Sequence, residues 1–504
     1  MVRAAVYCLF ASLALGQVHE IPVHAQWFPS DRAELETILS RSFAAAGRHL
    51  NGAPPRKGLL ALVVPHAGIA YSGPVAATAF SRLGQPRAVI ILGFSHRRRT
   101  EGVLAPVLDA YQTPLGRVEV DQAALRSLGF ERVPEATVCD HSVENQIPFI
   151  QHAAPDAKVI PLYVGDMTRA QLSSAAARLA ARLKAGDVIV ASSDFTHHGA
   201  AYGYTPFATD ERLSLRLRQR FMSVVEEIGT LAPARFDSYL ARTGDTTCGQ
   251  APIRLLMATL ARWKEDVFTT ALAYANSGDM TRDWSAAVSY GALAFYPYSA
   301  YSAGADAEKL LLASARATID RYLSTGRKAP VPVPESERTP ELRQPGAVFV
   351  TIKKNGRLRG CVGEFAPRLP LAEAVADRAL AAATEDPRFP PLEASEGPVT
   401  LDISLLTPLR RVASWRDVKL GQGVVLELNG RSSTFLPEIA AEMGWTRSKM
   451  FEELSEKAGL KRDAYRDPQA RIYVYSTHKF SESPKPASGR QNGAPGRPGS
   501  ASYE

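Results

Sequence analysis

Three positions able to do chemistry stand directly behind short apolar runs: His66 after LLALVVP, His96 after AVIILGF and a serine, and Asp194 with His197 and His198 after DVIVASS. In an open α/β sheet, ligands gather outside the carboxyl ends of the strands, so residues distant in sequence converge there. One histidine behind a strand is ordinarily a satisfied structural residue; the same placement repeated three times predicts a shared site. Cys248 lies in GDTTCGQAPIRLLMATL, just ahead of an apolar helix. There the positive helix end and its free amides favour a thiolate, although a small packing residue at a helix start reads the same way. The segment Asp140-His141-Ser142-Val143-Glu144 offers two carboxylates and an imidazole. It could ligate, orient a ligating histidine or act as a general base, or it could cap the helix entering IPFIQHA.

Two imidazoles and one thiolate leave positions open on a d-block ion. Soft sulfur with borderline nitrogen suits iron, copper or zinc and argues against magnesium or calcium. Asp194 and His197, at spacing three, would bracket the open face as orienting and acid–base groups. The competing chemistry is a metal-free Cys-His nucleophile. Arg97-Arg98-Arg99, directly after His96, could attract an anionic substrate or could simply face water.

The elements that must hold these residues alternate from about residue 58. Strand-length runs rich in Val, Ile and Leu occupy 59–65, 88–94, 157–165, 187–193 and 286–296, and read as buried on both faces. Amphipathic helices are expected from Asp31 to Ala46, Gly73 to Leu83, Met167 to Lys184, Asp210 to Gly229 and Pro252 to Trp263. This α/β domain spans 18–301. Residues 302–345 hold a helix over 305–324 and a Pro-rich connection. Beyond it the texture changes: Asn355-Gly356 and Asn429-Gly430 sit between alternating flanks and mark two hairpins. With the strands VTLDISLL and RIYVYS and helices near 371–383 and 446–458, residues 346–482 form an antiparallel α+β domain. The tail 483–504 is Pro, Gly and Ser rich and reads as disordered.

At 504 residues, 45% hydrophobic and 22% charged, the chain is long enough for two cores and is globular in composition. The net charge of +8 is scattered, with no basic stripe interleaved with aromatics, so no nucleic-acid partner is expected. Four cysteines, at 8, 139, 248 and 361, form neither a disulfide framework nor a CxxC metal motif. Residues 1–16 carry one positive charge, an apolar core and small residues at Ala14 and Gly16, the pattern of an export signal; the alternatives are a mis-chosen start or a short buried helix. Cleavage would place the protein outside the cytoplasm or in a periplasm, and otherwise a cytoplasmic location is expected. No mature transmembrane segment is expected.

Taken together, VVPHAGIAYSGPVAATAF, ILGFSH, YQTPLGRVEVD, DHSVENQIPF, VIPLYVG, SSDFTHHG, TTCGQAPI and YANSGD…AVSYGALAF resemble the Memo family in content and order, across about residues 18–300. The resemblance implies a fold similar to the class III extradiol, non-haem iron dioxygenases. It also implies a pocket whose metal ligands are His66, His96 and Cys248, with Asp194, His197, His141 and Glu144 as nearby catalytic groups. A thiolate stands where the true dioxygenases use a carboxylate, which shifts the expectation from ring cleavage toward redox or copper and iron handling. Residues 346–480 resemble the AMMECR domain through Leu358-Arg359-Gly360-Cys361-Val362-Gly363. Relatives of both domains tend to be encoded with a radical S-adenosylmethionine protein, which the resemblance implies as a partner. The resulting expectation is an iron-dependent, dioxygenase-like redox enzyme acting on a small substrate, with copper or zinc as other metals. A non-enzymatic metal- or peptide-binding module and a metal-free Cys-His hydrolase are the alternatives.

Overall fold

The computed structural model of the chain describes residues 17–22, 26–50, 52–53 and 55–482. The export signal read at 1–16 and the tail read at 483–504 lie outside these residues. Four short apolar strands form the centre of the first sheet, in the spatial order Ala61–Val64, Asp187–Ser192, Ala88–Gly93, Lys158–Val164, all parallel. Nearly every residue in them is buried, which is why they read as unbroken Val/Ile/Leu runs rather than as alternation. Parallel neighbours point their carboxyl ends the same way. His66, Asp194 and His96 follow three adjacent strands by two or three residues, so the topology alone brings them to one edge.

Around this centre the sheet extends on both sides. Ala287–Pro297 adds antiparallel to Ala61–Val64 and carries Val267–Asn276 and the two-residue strand His197–His198; Val103–Val107 and Glu131–Pro134 extend the other edge. Val267–Asn276 escapes a sequence reading because its Thr- and Ala-rich residues are mostly half-buried and show no clean alternation. The helix Pro233–Thr243 is likewise unannounced. The helix expected from Gly73 begins instead at Ile69, so that Pro74 falls inside it. Its start is fixed by the chain before it: the Ile69 amide donates to the Trp27 carbonyl at 2.8 Å, and a Cβ on Gly68 would collide with the Gln26 carbonyl.

The second domain has two four-stranded antiparallel sheets, one built on the Asn355-Gly356 hairpin and the other on Asn429-Gly430. Both asparagines and both glycines take positive φ, the backbone that a two-residue hairpin turn demands. The helix Ala305–Thr325 is integral to this domain. Its Ala307, Leu311, Ala315 and Ile319 share a core with Val375 and Ala379 of the helix Leu371–Thr384 and with Val350 and Ile403 of the first hairpin sheet. No helix among the described residues is long and apolar enough to cross a membrane. Leu311 is fully buried; Leu311→Ala should destabilise the second domain by about 2–5 kcal/mol, read as a lower denaturation midpoint at unchanged m-value.

Candidate metal centre

His66 is 2% exposed, and each end of its ring is committed. Its Nδ1 is 2.9 Å from Ser192 Oγ, at the end of the neighbouring strand, while its Nε2 faces Cys248 Sγ at 3.4 Å. His96 is turned the same way by a different partner, its Nδ1 lying 2.8 Å from Asp140 Oδ1 and its amide donating to Asp140 Oδ2 at 3.0 Å. Asp140 reaches that position because the short helix His141–Glu144 docks on the end of Ala88–Gly93. Ser142 Oγ donates to the Phe94 carbonyl and accepts from the Phe94 amide, and a side chain on Gly93 would strike Ser142 and Val143.

Cys248 arrives from the opposite side. Its amide donates to the Asp194 carbonyl at 3.3 Å, and the Asp194 amide points at Cys248 Sγ at 3.3 Å. Gly249, at the start of the helix Gln250–Leu260, packs so closely on the end of Asp187–Ser192 that a Cβ would meet the Ser192 carbonyl and the Ser193 side chain. One ligand atom from each of His66, His96 and Cys248 therefore falls within 4.8 Å of the other two, and the same holds for Asp194, His197 and Cys248, and for His96, Asp140 and His141.

Electrostatics drives most of this cluster toward neutral forms. Burial, reinforced by the charges of His141, His96 and His197, holds His66 well below the usual imidazole value. Burial pushes the Asp194 carboxyl up to about 7, against the amides of His66 and Ala67 that stabilise its anion. Burial lowers His141 to about 4 and lowers His197 as well. Asp140 is the exception: burial raises it, but the His96 hydrogen bond and the charges of His141 and His96 outweigh that and leave it below the usual carboxylate value. The helix start does not give Cys248 the thiolate character expected from sequence. Burial, with the Asp194 carboxylate beside it, pushes its thiol up, and the nearby amides are too few to compensate.

The other expected residues divide. His141 stacks on His96, centroids 4.1 Å apart, and is covered by Trp27 at 4.0 Å, so it packs against a donor. His197 has its Nδ1 3.1 Å from the Thr246 carbonyl and its ring edge on Tyr202. His198, next along the same strand, is buried with neither ring nitrogen partnered among the described residues, and it joins none of these donor groups. Glu144 is also outside them: its carboxylate lies 3.0 Å from His19 Nε2, and His19 Nδ1 continues to Glu135 at 3.3 Å. Trp27 and His19 carry no signal in sequence, because each is an isolated residue far from the motif it contacts, and Tyr202, five residues after His197, carries none either. Arg97, Arg98 and Arg99 are exposed, with Arg99 paired to Asp166.

In the second domain, Arg359 is held by Glu396 and by the carbonyls of Pro390 and Pro391. A Cβ on Gly360 would strike the Ala382 carbonyl, and one on Gly363 would strike Phe349. The motif is thus a packing requirement of the first hairpin. Cys361 is a free thiol, as are Cys139 and Cys248.

His19 tests the acidic block independently of the donors. Burial lowers it, but hydrogen bonds and charge from Glu144 and Glu135 outweigh burial and raise its pKa above the ordinary 6.5. A raised imidazole stabilises the fold fully below its unfolded value and loses that contribution as pH rises through the folded one. The stability difference between the native chain and His19→Gln should be largest below about pH 6.5 and should shrink at higher pH, followed by urea unfolding across that range.

The chain is similar to known proteins in two parts. The family profile described as Memo-like protein matches residues 21–294, and that of AMMECR1 matches residues 312–480. A MEMO1 family protein of Thermococcus onnurineus is 29% identical over 289 residues, covering 54% of this chain and 97% of its own length. Another, of Thermoplasma acidophilum, is 31% identical, covering 54% of this chain and 96% of its own length. A protein of Methanothermobacter thermautotrophicus is 34% identical over 186 residues, covering 35% of this chain and 95% of its own length. The crystal structure of an uncharacterized protein from Pyrococcus horikoshii is 33% identical, covering 34% of this chain and 89% of that one, with a TM-score of 0.32. The chain belongs to the Memo family and carries an AMMECR1 domain in tandem behind its Memo domain.

Proposed function

We propose that the Memo domain is a mononuclear metal centre held by His66, His96 and Cys248, with the dioxygenase-like role of a redox enzyme acting on a small substrate. The observation that carries this reading is the pre-orientation of the donors. Both histidines have Nδ1 engaged, by Ser192 and by Asp140, so Nε2 is the nitrogen each has left to ligate; that of His66 faces Cys248 Sγ, and one ligand atom of His96 lies within 4.8 Å of those of His66 and Cys248. Ligating histidines are characteristically fixed through their other nitrogen in this way. Burial keeps His66 neutral, the form in which imidazole ligates.

The donor set fits iron, with copper or zinc as the other candidates, because it joins one soft thiolate to two imidazoles and leaves coordination positions free. Bound there, iron would supply one-electron redox capacity and a Lewis-acid position for a small molecule. The chain's own groups do the rest. Asp194, with a carboxyl near 7, can hold or release a proton at neutral pH beside Cys248 and His197. Trp27 stacks on His141 beside His96, and Tyr202 packs on His197.

The metal-free Cys-His alternative is disfavoured by the same electrostatics. A nucleophilic pair needs a thiolate beside an imidazolium, whereas burial drives both Cys248 and His66 to their neutral forms. A binding module without turnover shares the donor geometry and is separated by turnover alone. A radical S-adenosylmethionine protein as partner rests on the family resemblance, as does a peptide as ligand.

Protein purified without added metal should contain about one equivalent of a transition metal, and Cys248→Ser should lose most of it by elemental analysis. Unchanged stoichiometry in that variant would overturn the ligand set. Asp140→Asn should leave the fold intact and weaken metal affinity about 10–100-fold, measured by chelator competition. Oxygen uptake by the anaerobically iron-loaded chain, above that of free iron, distinguishes an enzyme from a binding module.

A further inference from the structure

One helix joins the boundary between the domains to the metal centre. Leu213–Gly229 packs on the antiparallel strands Val267–Asn276 and Ala287–Pro297, and at 1.5 Å per residue it is about 25 Å long. Its first turn sits at the metal edge of the sheet. There Ser214 Oγ donates to the Asp279 carboxylate at 2.6 Å, Asn276 donates to the same oxygen at 2.7 Å, and Asn276 pairs with Ser289, whose amide donates to the Thr196 carbonyl. Its last turn sits at the opposite edge, where a Cβ on Gly229 would touch Thr269. Midway, Phe221 is 1% exposed and stands edge-on to Phe195, 5.0 Å between centroids. Phe195 directly follows Asp194, whose amide and carbonyl both meet Cys248. The Phe195 amide donates to the Ser289 carbonyl at 2.9 Å, and a Cβ on Gly291 would strike both phenyl rings, so the contact has no slack.

The far end of this helix is gripped by the second domain. Glu227, 3% exposed, accepts from Arg235 of its own domain at 3.0 and 3.2 Å and from Arg411 of the second domain at 3.0 Å. Glu226 accepts from the Tyr473 hydroxyl at 3.4 Å and faces Arg411 at 3.6 Å and Arg471 at 4.0 Å. Arg411, Arg471 and Tyr473 belong to the sheet built on the Asn429-Gly430 hairpin. Taking one partner from a buried ion pair leaves an uncompensated charge that the surroundings must move to relieve. A rigid, close-packed helix passes such a movement on to the side chains packed along it.

We propose that the second domain controls how firmly the Asp194 segment is held, and through it the affinity of the metal centre. Arg411 fixes Glu226 and Glu227, these fix the helix Leu213–Gly229, and Phe221 carries the constraint to Phe195 and Asp194. The link to metal affinity rests on the ligand set proposed above, whereas the link from Arg411 to Asp194 stands without it.

Hydrogen–deuterium exchange mass spectrometry of the full, metal-free chain tests that link. Arg411→Glu, which makes the contact repulsive, should speed exchange about fivefold or more in segments 224–229 and 193–198 together. The hairpin 347–364 should exchange as in the native chain, reporting an intact second domain. Arg411→Met, which removes the charge and keeps the bulk, should act in the same direction with a smaller effect, and decides the matter if Arg411→Glu disturbs the hairpin. With zinc as the probe, Arg411→Glu should weaken binding about fivefold or more, and zinc added to the native chain should slow exchange at 410–412 and 471–475, because coupling between two sites is reciprocal. Unchanged exchange at 193–198 in a variant whose second domain is intact overturns the proposal, and so does zinc affinity that does not respond. A native chain that binds no zinc would speak against the ligand set and leave the exchange at 193–198 to decide the helix link alone.

Discussion

Asp194 is the residue on which the site's geometry turns. Its Oδ1 accepts from the His66 and Ala67 amides, its own amide points at Cys248 Sγ, and its carbonyl accepts from the Cys248 amide. Three segments that leave different elements are thereby tied through one buried residue, 4% exposed. A carboxylate in that position is expensive unless hydrogen-bonded, and the two amides offset only part of the cost, so its carboxyl sits near 7 rather than near 4. An uncharged asparagine could mimic some of these bonds. It could not present a carboxyl that changes charge near neutrality beside a thiol.

The same constraint explains which parts of the site could be read from sequence. The strands Ala61–Val64, Ala88–Gly93 and Asp187–Ser192 are continuous apolar runs, and their spatial adjacency follows from parallel packing, so His66, His96 and Asp194 were accessible from pattern. Cys248 was accessible only as a cysteine at a helix start. Its true anchor is the close approach of Gly249 to the end of a strand about 55 residues earlier in the chain, a tertiary fact that local sequence does not encode. At Cys248 burial outweighs the partial charge of the helix start, so the thiol is pushed up rather than toward the thiolate.

Residues that close the site were invisible for a related reason. Trp27 stacks on His141 because the segment before Ile69 is pinned by the Ile69 amide, and His19 meets Glu144 because Val18–Glu20 pairs with Ala110–Thr113. Each contact joins an isolated side chain to a motif more than a hundred residues away, and no periodicity announces such a pair. Glu144 illustrates the converse. It stands in a conspicuous acidic block, yet Asp140, the extended residue that caps the short helix His141–Glu144, turns to His96, whereas Glu144, the last residue of that helix, meets His19. In the second domain the hairpins are legible because Asn-Gly turns are local, whereas the pairing of Arg359 with Glu396, 37 residues on, has no local signal.

The proposed centre has a further physical logic. Without a cation, the buried groups nearest Cys248 are driven toward neutrality: thiol protonated, Asp194 half-protonated at neutral pH, His66 and His197 uncharged. A pocket in which burial opposes every local charge is poorly suited to carry a free thiolate. It is well suited to a divalent ion, whose field reverses the local preference, favouring loss of the Cys248 proton and of any proton on Asp194. Metal affinity in such a site must rise with pH, because protons are displaced on binding. In the proposed centre a Cys248 thiolate in place of a carboxylate would change more than ligand softness. It would tie occupancy to the protons of Cys248 and Asp194, two neighbouring groups that would compete for the same positive charge.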